Sequence, residues 1–281
     1  GTQPSTLDAD IPPSVDCDIC HSAPIYDAWR GTMMSQSARD PLVRAALATA
    51  NADAGLTPDA AAGDYCLRCH APKGWLEGRS HPADGSALNA QDVANGIACE
   101  VCHRMVDPRP TNGELAETDT QIRDALTTTV PVSYTGSATL IVDPDDNRRG
   151  PFVFDPDLSY HSAYQTDFLG QSSDAITRSR LCGSCHNVDN PLLSWNDERS
   201  EYWLNALDTP PEVAPGALFP IERTFTEWLY SAYPTGVVAP QFAGAQPDDT
   251  VAACQDCHLQ RQTGTAADPQ LGTRYGTYNQ Q

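Results

Sequence analysis

One five-residue word, Cys-x-x-Cys-His, constrains this chain more than anything else in it. It is written five times: Cys17-Asp18-Ile19-Cys20-His21, Cys66-Leu67-Arg68-Cys69-His70, Cys99-Glu100-Val101-Cys102-His103, Cys182-Gly183-Ser184-Cys185-His186 and Cys254-Gln255-Asp256-Cys257-His258. All 10 cysteines are used and none is left over. This spacing is the attachment signature of c-type haem. Two thiols add across the two vinyl groups of a haem, and the histidine that follows takes one axial position on the iron. The reading is therefore five covalent haem c groups. Ten thioether cysteines hold them, and His21, His70, His103, His186 and His258 are their proximal ligands. Structural zinc needs pairs of such pairs, or spaced histidines. A disulfide framework needs no histidine at all, and a thioredoxin-like motif occurs once beside a βαβ pattern.

Composition agrees with a core that is not made of side chains alone. Hydrophobic residues are 40% of the 281, below the usual share of about 45–50%. Each macrocycle adds apolar surface around which a polar chain can collapse. The 23 prolines and 19 glycines mark a loop-rich chain. The fold expected is a loop-rich multihaem chain with several short α-helices, a small β insert and a core of stacked haems. Three regions are expected: 1–103 with three sites, a haem-free β-rich insert at 104–160, and 161–281 with two sites.

The formal net charge is -20, and haem propionates add to it. No basic patch suits nucleic acid, and an anionic membrane would repel the chain. Redox partners are expected to be basic, or to dock at high salt. Lys73 is the only lysine. Acid-rich, lysine-poor composition fits a salty habitat and equally a GC-rich genome. No apolar stretch spans a bilayer. No signal peptide is visible, and haem c is ligated outside the cytoplasm. The expected form is a mature exported chain without a lipid-anchored N-terminus, in the periplasm, at the cell surface or outside the cell.

Along the chain, 1–16 reads as an extended arm and 26–37 as a helix. Asp40-Pro41 reads as an N-cap and first helical residue opening a helix over 42–54. Sites two and three follow closely and read as a near pair. The runs 127–134, 138–142 and 151–154 read as short strands, and 143–147 as a solvated turn rather than a calcium loop. Helices are expected at 200–207 and 221–232, with irregular chain over 261–281.

Axial ligands limit the chemistry. Five six-coordinate irons need ten ligands, and seven histidines less five proximal ones leave two, His81 and His161. Both are candidate distal ligands, so at most two haems are bis-histidine from this chain alone. Three methionines remain, Met33, Met34 and Met105; methionine ligation raises the potential.

After the first motif, Trp29-Arg30-Gly31-Thr32-Met33-Met34 resembles the cytochrome c-554-like group of multihaem cytochromes. That group often shows W-x-x-S-x-H with the histidine as a distal ligand. Gly96 to His103 and Leu181 to Asn187 also resemble motifs of the group. The resemblance covers the haem-bearing segments. It implies that Met34 is a distal ligand to a haem other than that of its own motif, and that the chain transfers electrons outside the cytoplasm over closely packed haems. The leading expectation is an electron carrier or conduit. Assembly into an extracellular cytochrome filament is a variant that would let neighbours lend ligands. The rival is a multihaem oxidoreductase with one open haem acting on a small nitrogen compound. No C-x-x-C-K motif supports it, and Arg104, Tyr164 and His81 are the only groups available to serve such a site.

Overall fold

The structure is a computed structural model describing residues 1–21, 25–54, 62–108, 117–129, 134–150, 163–165, 169, 174–206, 215–244, 246, 248–259, 261–265 and 275–279. Short helices joined by irregular chain dominate it. A 3-10 turn over Ser14–Cys17 runs into α1 (Asp18–His21), followed by α2 (Asp27–Arg30), α3 (Met33–Gln36) and α4 (Pro41–Ala54). Then come α5 (Ala62–His70), α6 (Pro72–Leu76), α7 (Ala90–Asn95), α8 (Cys99–His103) and α9 (Glu117–Thr129). The C-terminal half adds α10 (Ala175–Gly183), α11 (Thr224–Leu229), α12 (Pro240–Ala243) and α13 (Cys254–His258).

Local chemistry explains several of these boundaries. The Asp40 carboxylate accepts the Leu42 N–H at 2.8 Å and Pro41 opens α4, as the sequence implies. The expected helix over 26–37 is broken at Gly31–Thr32. There the Thr32 hydroxyl accepts the Ser35 N–H at 3.2 Å and caps a new helix, α3. Asn89 and Asp92 form a reciprocal capping box on α7.

The β-structure lies mostly away from where the sequence places it. Strand β1 (Arg148–Gly150) pairs in parallel with β2 (Ala163–Gln165). A three-stranded antiparallel sheet holds β3 (Val188–Asn196) between β4 (Glu201–Leu204) and β5 (Leu218–Glu222). Two small antiparallel ladders follow, β6 (Val237–Val238) with β7 (Thr250–Val251), and β8 (Arg261–Thr265) with β9 (Tyr275–Asn279).

Five expectations need correcting. The strand start at 127 falls in the last turn of α9; a short β-branched run carries little periodicity, and the helix upstream continues through it. The segment 138–142 is not a named strand but a buried irregular run bridged once, Met105 to Val142. Residues 130–133 and 151–162 lie outside the described residues, so the β-rich insert rests on β1 alone within its bounds. The helix expected at 200–207 is strand β4, because Trp195, Tyr202 and Phe219 stack across neighbouring strands. The helix expected from 221 starts at Thr224, since Ile221 still belongs to β5, and 261–281 contains the β8–β9 ladder.

The largest apolar cluster joins Ile11, Trp75, Leu76, Val101, Leu140 and Val142 and packs against Cys69 and Cys185. Smaller clusters pack against Cys66 and Cys257. The apolar cores are thus gathered around motif cysteines. The N-terminal arm is extended but not loose. Its Ser5 N–H donates to Leu76 at 2.8 Å and Ile11 is buried. The 143–147 turn is likewise not solvated throughout, because Asp143 is fully buried.

Several buried charges among the described residues are paired. Lys73 reaches Glu77 at 2.7 Å and the Ile11 carbonyl at 2.6 Å, while Arg79 bridges Glu77 and Asp92. Burial alone would raise the Glu77 carboxyl; bonds from Lys73, Arg79 and the Ile11 N–H outweigh it and hold the group below its ordinary value. A carboxyl with a lowered folded pKa stabilises fully above its unfolded value of about 4.3, and that stability drains as pH falls through the folded value. Replacing Glu77 with Gln should therefore cost about 3–5 kcal/mol near neutral pH and flatten the acid limb of a melting-temperature profile. Thermal melts between neutral and acid pH check both.

Candidate functional site

The five motifs are presented in nearly the same way. Spacing of three and four along a helix places both cysteines and the histidine on one face. Motifs two, three and five lie wholly within α5, α8 and α13. Motif one straddles the 3-10 turn and α1. In motif four α10 carries Cys182, and the turn continues through Cys185 and His186, whose N–H groups donate to the Cys182 carbonyl at 3.1 and 2.9 Å. Gly183 sits under the Phe225 ring of α11, where a Cβ would lie 2.6 Å from the ring. All ten cysteines are free of disulfides, so their chemistry fits vinyl addition at each motif.

Tertiary folding brings motifs together that are distant in sequence. The thiols of Cys17 and Cys99 influence each other, raising the first and lowering the second. Cys182 is raised and Cys254 lowered to about 7 by the same kind of influence. Cys69 is lowered and Cys185 raised by a third. Motif three also shares an apolar cluster with motif four, through Val101 and Cys185. Burial pushes Cys102 to about 12. His70 is lowered first by burial, with a contribution from His186. These interactions link motifs one with three, four with five and two with four, while motifs two and three, which the sequence reads as a near pair, share the main apolar cluster through Cys69 and Val101.

His103 is held most clearly. Its Nδ1 lies 2.7 Å from the Arg149 carbonyl in β1. Donation from Nδ1 leaves Nε2 as the lone-pair nitrogen, the tautomer a metal requires. The Arg149 guanidinium is bonded to Asp119 on α9 at 2.6 Å and to Asp143 at 2.7 Å, and all three groups are buried. Burial alone would lower the Arg149 pKa; these carboxylates outweigh it and raise it. Bidentate Arg178–Asp256 bonds at 2.8 and 3.1 Å dock the helices of motifs four and five. Arg68 stands over the rings of Trp75 and Tyr65, and its Nε is buried without a hydrogen-bond partner. A cation so placed inside motif two suits a propionate.

The spare ligands are placed unequally. Met34 is half-buried on α3, and its carbonyl accepts the Ile97 N–H at 3.0 Å, two residues before motif three. Met33 is exposed and Met105 is buried in the main core. His81 is largely exposed, 3.6 Å from Asp64. His161 lies outside the described residues, and so does the side chain of Tyr164. Arg104 is fully buried and donates to the carbonyls of Ala9, Asp10, Asp143 and Pro144. It ties chain segments together rather than facing an open iron. Reading the sequence also missed Ser14, Ser179, Asp119, Arg149, Arg178 and Asp256 as supports of the motifs. Only the two serines carry a local signal, each three residues before a first cysteine.

The family model described as cytochrome c554 and c-prime matches residues 16–104, the segment bearing motifs one to three. No curated protein and no solved structure matches the chain. The match supports a c-type cytochrome: covalently bound haem c, electron transfer as the general function, and the export usual in that class. No described helix is long and apolar enough to cross a membrane.

Replacing Arg149 with Met should leave Asp119 and Asp143 buried without their cation. The expected loss is about 3–5 kcal/mol of stability, measured by urea unfolding followed in the visible band of the haem-loaded protein.

Proposed function

We propose that the chain is a five-haem electron-transfer protein in which all five motifs carry haem c and the cofactors form one connected path. The observation that carries this reading is the set of ties between motifs distant in sequence. The Cys99 N–H is bonded to Ser14 beside motif one, and the Cys254 N–H to Ser179 beside motif four. Cys69, Val101 and Cys185 of motifs two, three and four pack on one apolar cluster. These ties leave no motif isolated, so haems attached at the motifs would lie near one another. The bound groups supply reversible one-electron chemistry. The chain's residues orient them, as at His103, and offset their charge, as Arg68 does. Met34 is the distal ligand this reading favours for a haem other than its own, since α3 is pinned to the approach of motif three. A pyridine haemochrome assay should count five haems per chain, and a redox titration should need several potentials; fewer than five haems would remove the basis of the proposal.

The same reading extends to self-assembly into a filament outside the cell. Strand β4 is a sheet edge, and its Tyr202, Trp203 and Leu204 are exposed beside exposed Trp195 and Phe219. An exposed apolar edge strand is a template for pairing with another chain. A charge of -20 opposes that pairing until salt screens it. Assembly should rise with ionic strength, and Trp203→Glu should abolish it. Light scattering and electron microscopy of native material follow both effects, and an unassembled chain at high salt would count against the filament.

A further inference from the structure

Two of the motif pairs are held by the same set of contacts. In the first, the Cys99 N–H donates to the Ser14 hydroxyl at 3.1 Å; in the second, the Cys254 N–H donates to the Ser179 hydroxyl at 3.1 Å. Each serine lies three residues before the first cysteine of the partner motif, and each is fully buried. The Trp29 indole donates to the Ile97 carbonyl at 3.1 Å, and the Trp228 indole to the Ala252 carbonyl at 2.8 Å. Both carbonyls stand two residues before the first cysteine of the motif they serve. Three residues after each tryptophan a hydroxyl donates back to the tryptophan carbonyl, from Thr32 at 2.7 Å and from Ser231 at 2.6 Å. Both second motifs follow an extended alanine, Ala98 or Ala253. In both pairs the first cysteines of the two motifs influence each other in the same sense, which raises Cys17 and Cys182 and lowers Cys99 and Cys254.

We infer that the chain contains two copies of one haem-pair unit. The first uses motifs one and three, the second uses motifs four and five, and motif two stands outside both. Within each unit the serine and the tryptophan are positioning residues that set the separation and tilt of the two haems. The serine fixes the amide that starts the second motif, and the indole fixes the carbonyl just before it. Two bonds to one short stretch of backbone leave little freedom to rotate about it. A single shared hydrogen bond could arise by chance. Matching donors, acceptors and offsets at the serine, the indole and the hydroxyl require a common geometry. The second unit lies beyond residues 16–104, where the family match ends, so the tertiary structure alone reveals it. The units are not identical. The residue five past the tryptophan is Met34 in one and Tyr233 in the other.

This inference rests on the five-haem reading, and its test separates the two. Ser14→Ala, Trp29→Phe, Ser179→Ala and Trp228→Phe are prepared as full-length haem-loaded chains. Haem content is counted, and the low-temperature electron paramagnetic resonance spectrum is recorded for each. The phenylalanine variants keep aromatic packing and lose only the N–H donor. Ser14→Ala and Trp29→Phe should alter one set of two haem signals. Ser179→Ala and Trp228→Phe should alter a different set of two, and Ser14→Ala combined with Ser179→Ala should alter both sets together. The fifth haem should be unchanged throughout. Variants that leave all signals unchanged, or that all disturb the same haems, overturn the two-unit inference while the five-haem count stands. Fewer than five haems in the unsubstituted chain overturns the five-haem reading itself.

Discussion

The structure depends on a covalent requirement met over five residues. Two sulfurs and an imidazole must converge on one flat group, and a turn of helix is the backbone form that places them together. Each motif therefore sits on a helical turn, however short the surrounding element. Little else in the chain needs regular structure. That explains helices of four to six residues separated by irregular segments. It also explains why the apolar clusters end against motif cysteines rather than closing on themselves.

An acidic chain with few cations spends many of them on internal ties. Arg149 joins β1 to α9 and to the 143 turn, Arg178 joins α10 to α13, and Arg180 reaches Asp107 at 2.5 Å. Arg104 gathers four backbone carbonyls. These bonds do work that a wholly aliphatic core would do elsewhere. They are directional, so they also fix how motif-bearing helices face one another. The cost of desolvating such ions is met only when every polar atom is engaged. Arg68 and Arg178 each keep a buried Nε without a hydrogen-bond partner, and Arg68, set over the Trp75 and Tyr65 rings, suits an anionic group.

The sequence was most informative where chemistry is local. The motifs, their histidines and the Asp40–Pro41 helix start each depend on residues within a few positions of one another. It misled where neighbours across the fold decided the outcome. The β-branched run at 127–129 took its conformation from the helix before it. The segment at 201–204 became a strand because cross-strand aromatics were available. The 221 region split between β5 and α11. The exposed position of His81 and the burial of Arg104 were not legible, because neither depends on local pattern.

Five Cys-x-x-Cys-His motifs and the scarcity of histidines beyond them were legible in the sequence alone, since motif spacing and residue counting require no knowledge of the fold. Which motifs adjoin was decided only by tertiary structure. Ser14 meets the Cys99 amide, Ser179 meets the Cys254 amide and Arg178 meets Asp256 between segments far apart in the chain, and no periodicity records such contacts. Ser14 and Ser179 were visible as letters. Their equivalence appeared only once two distant backbones had come within hydrogen-bonding distance of them.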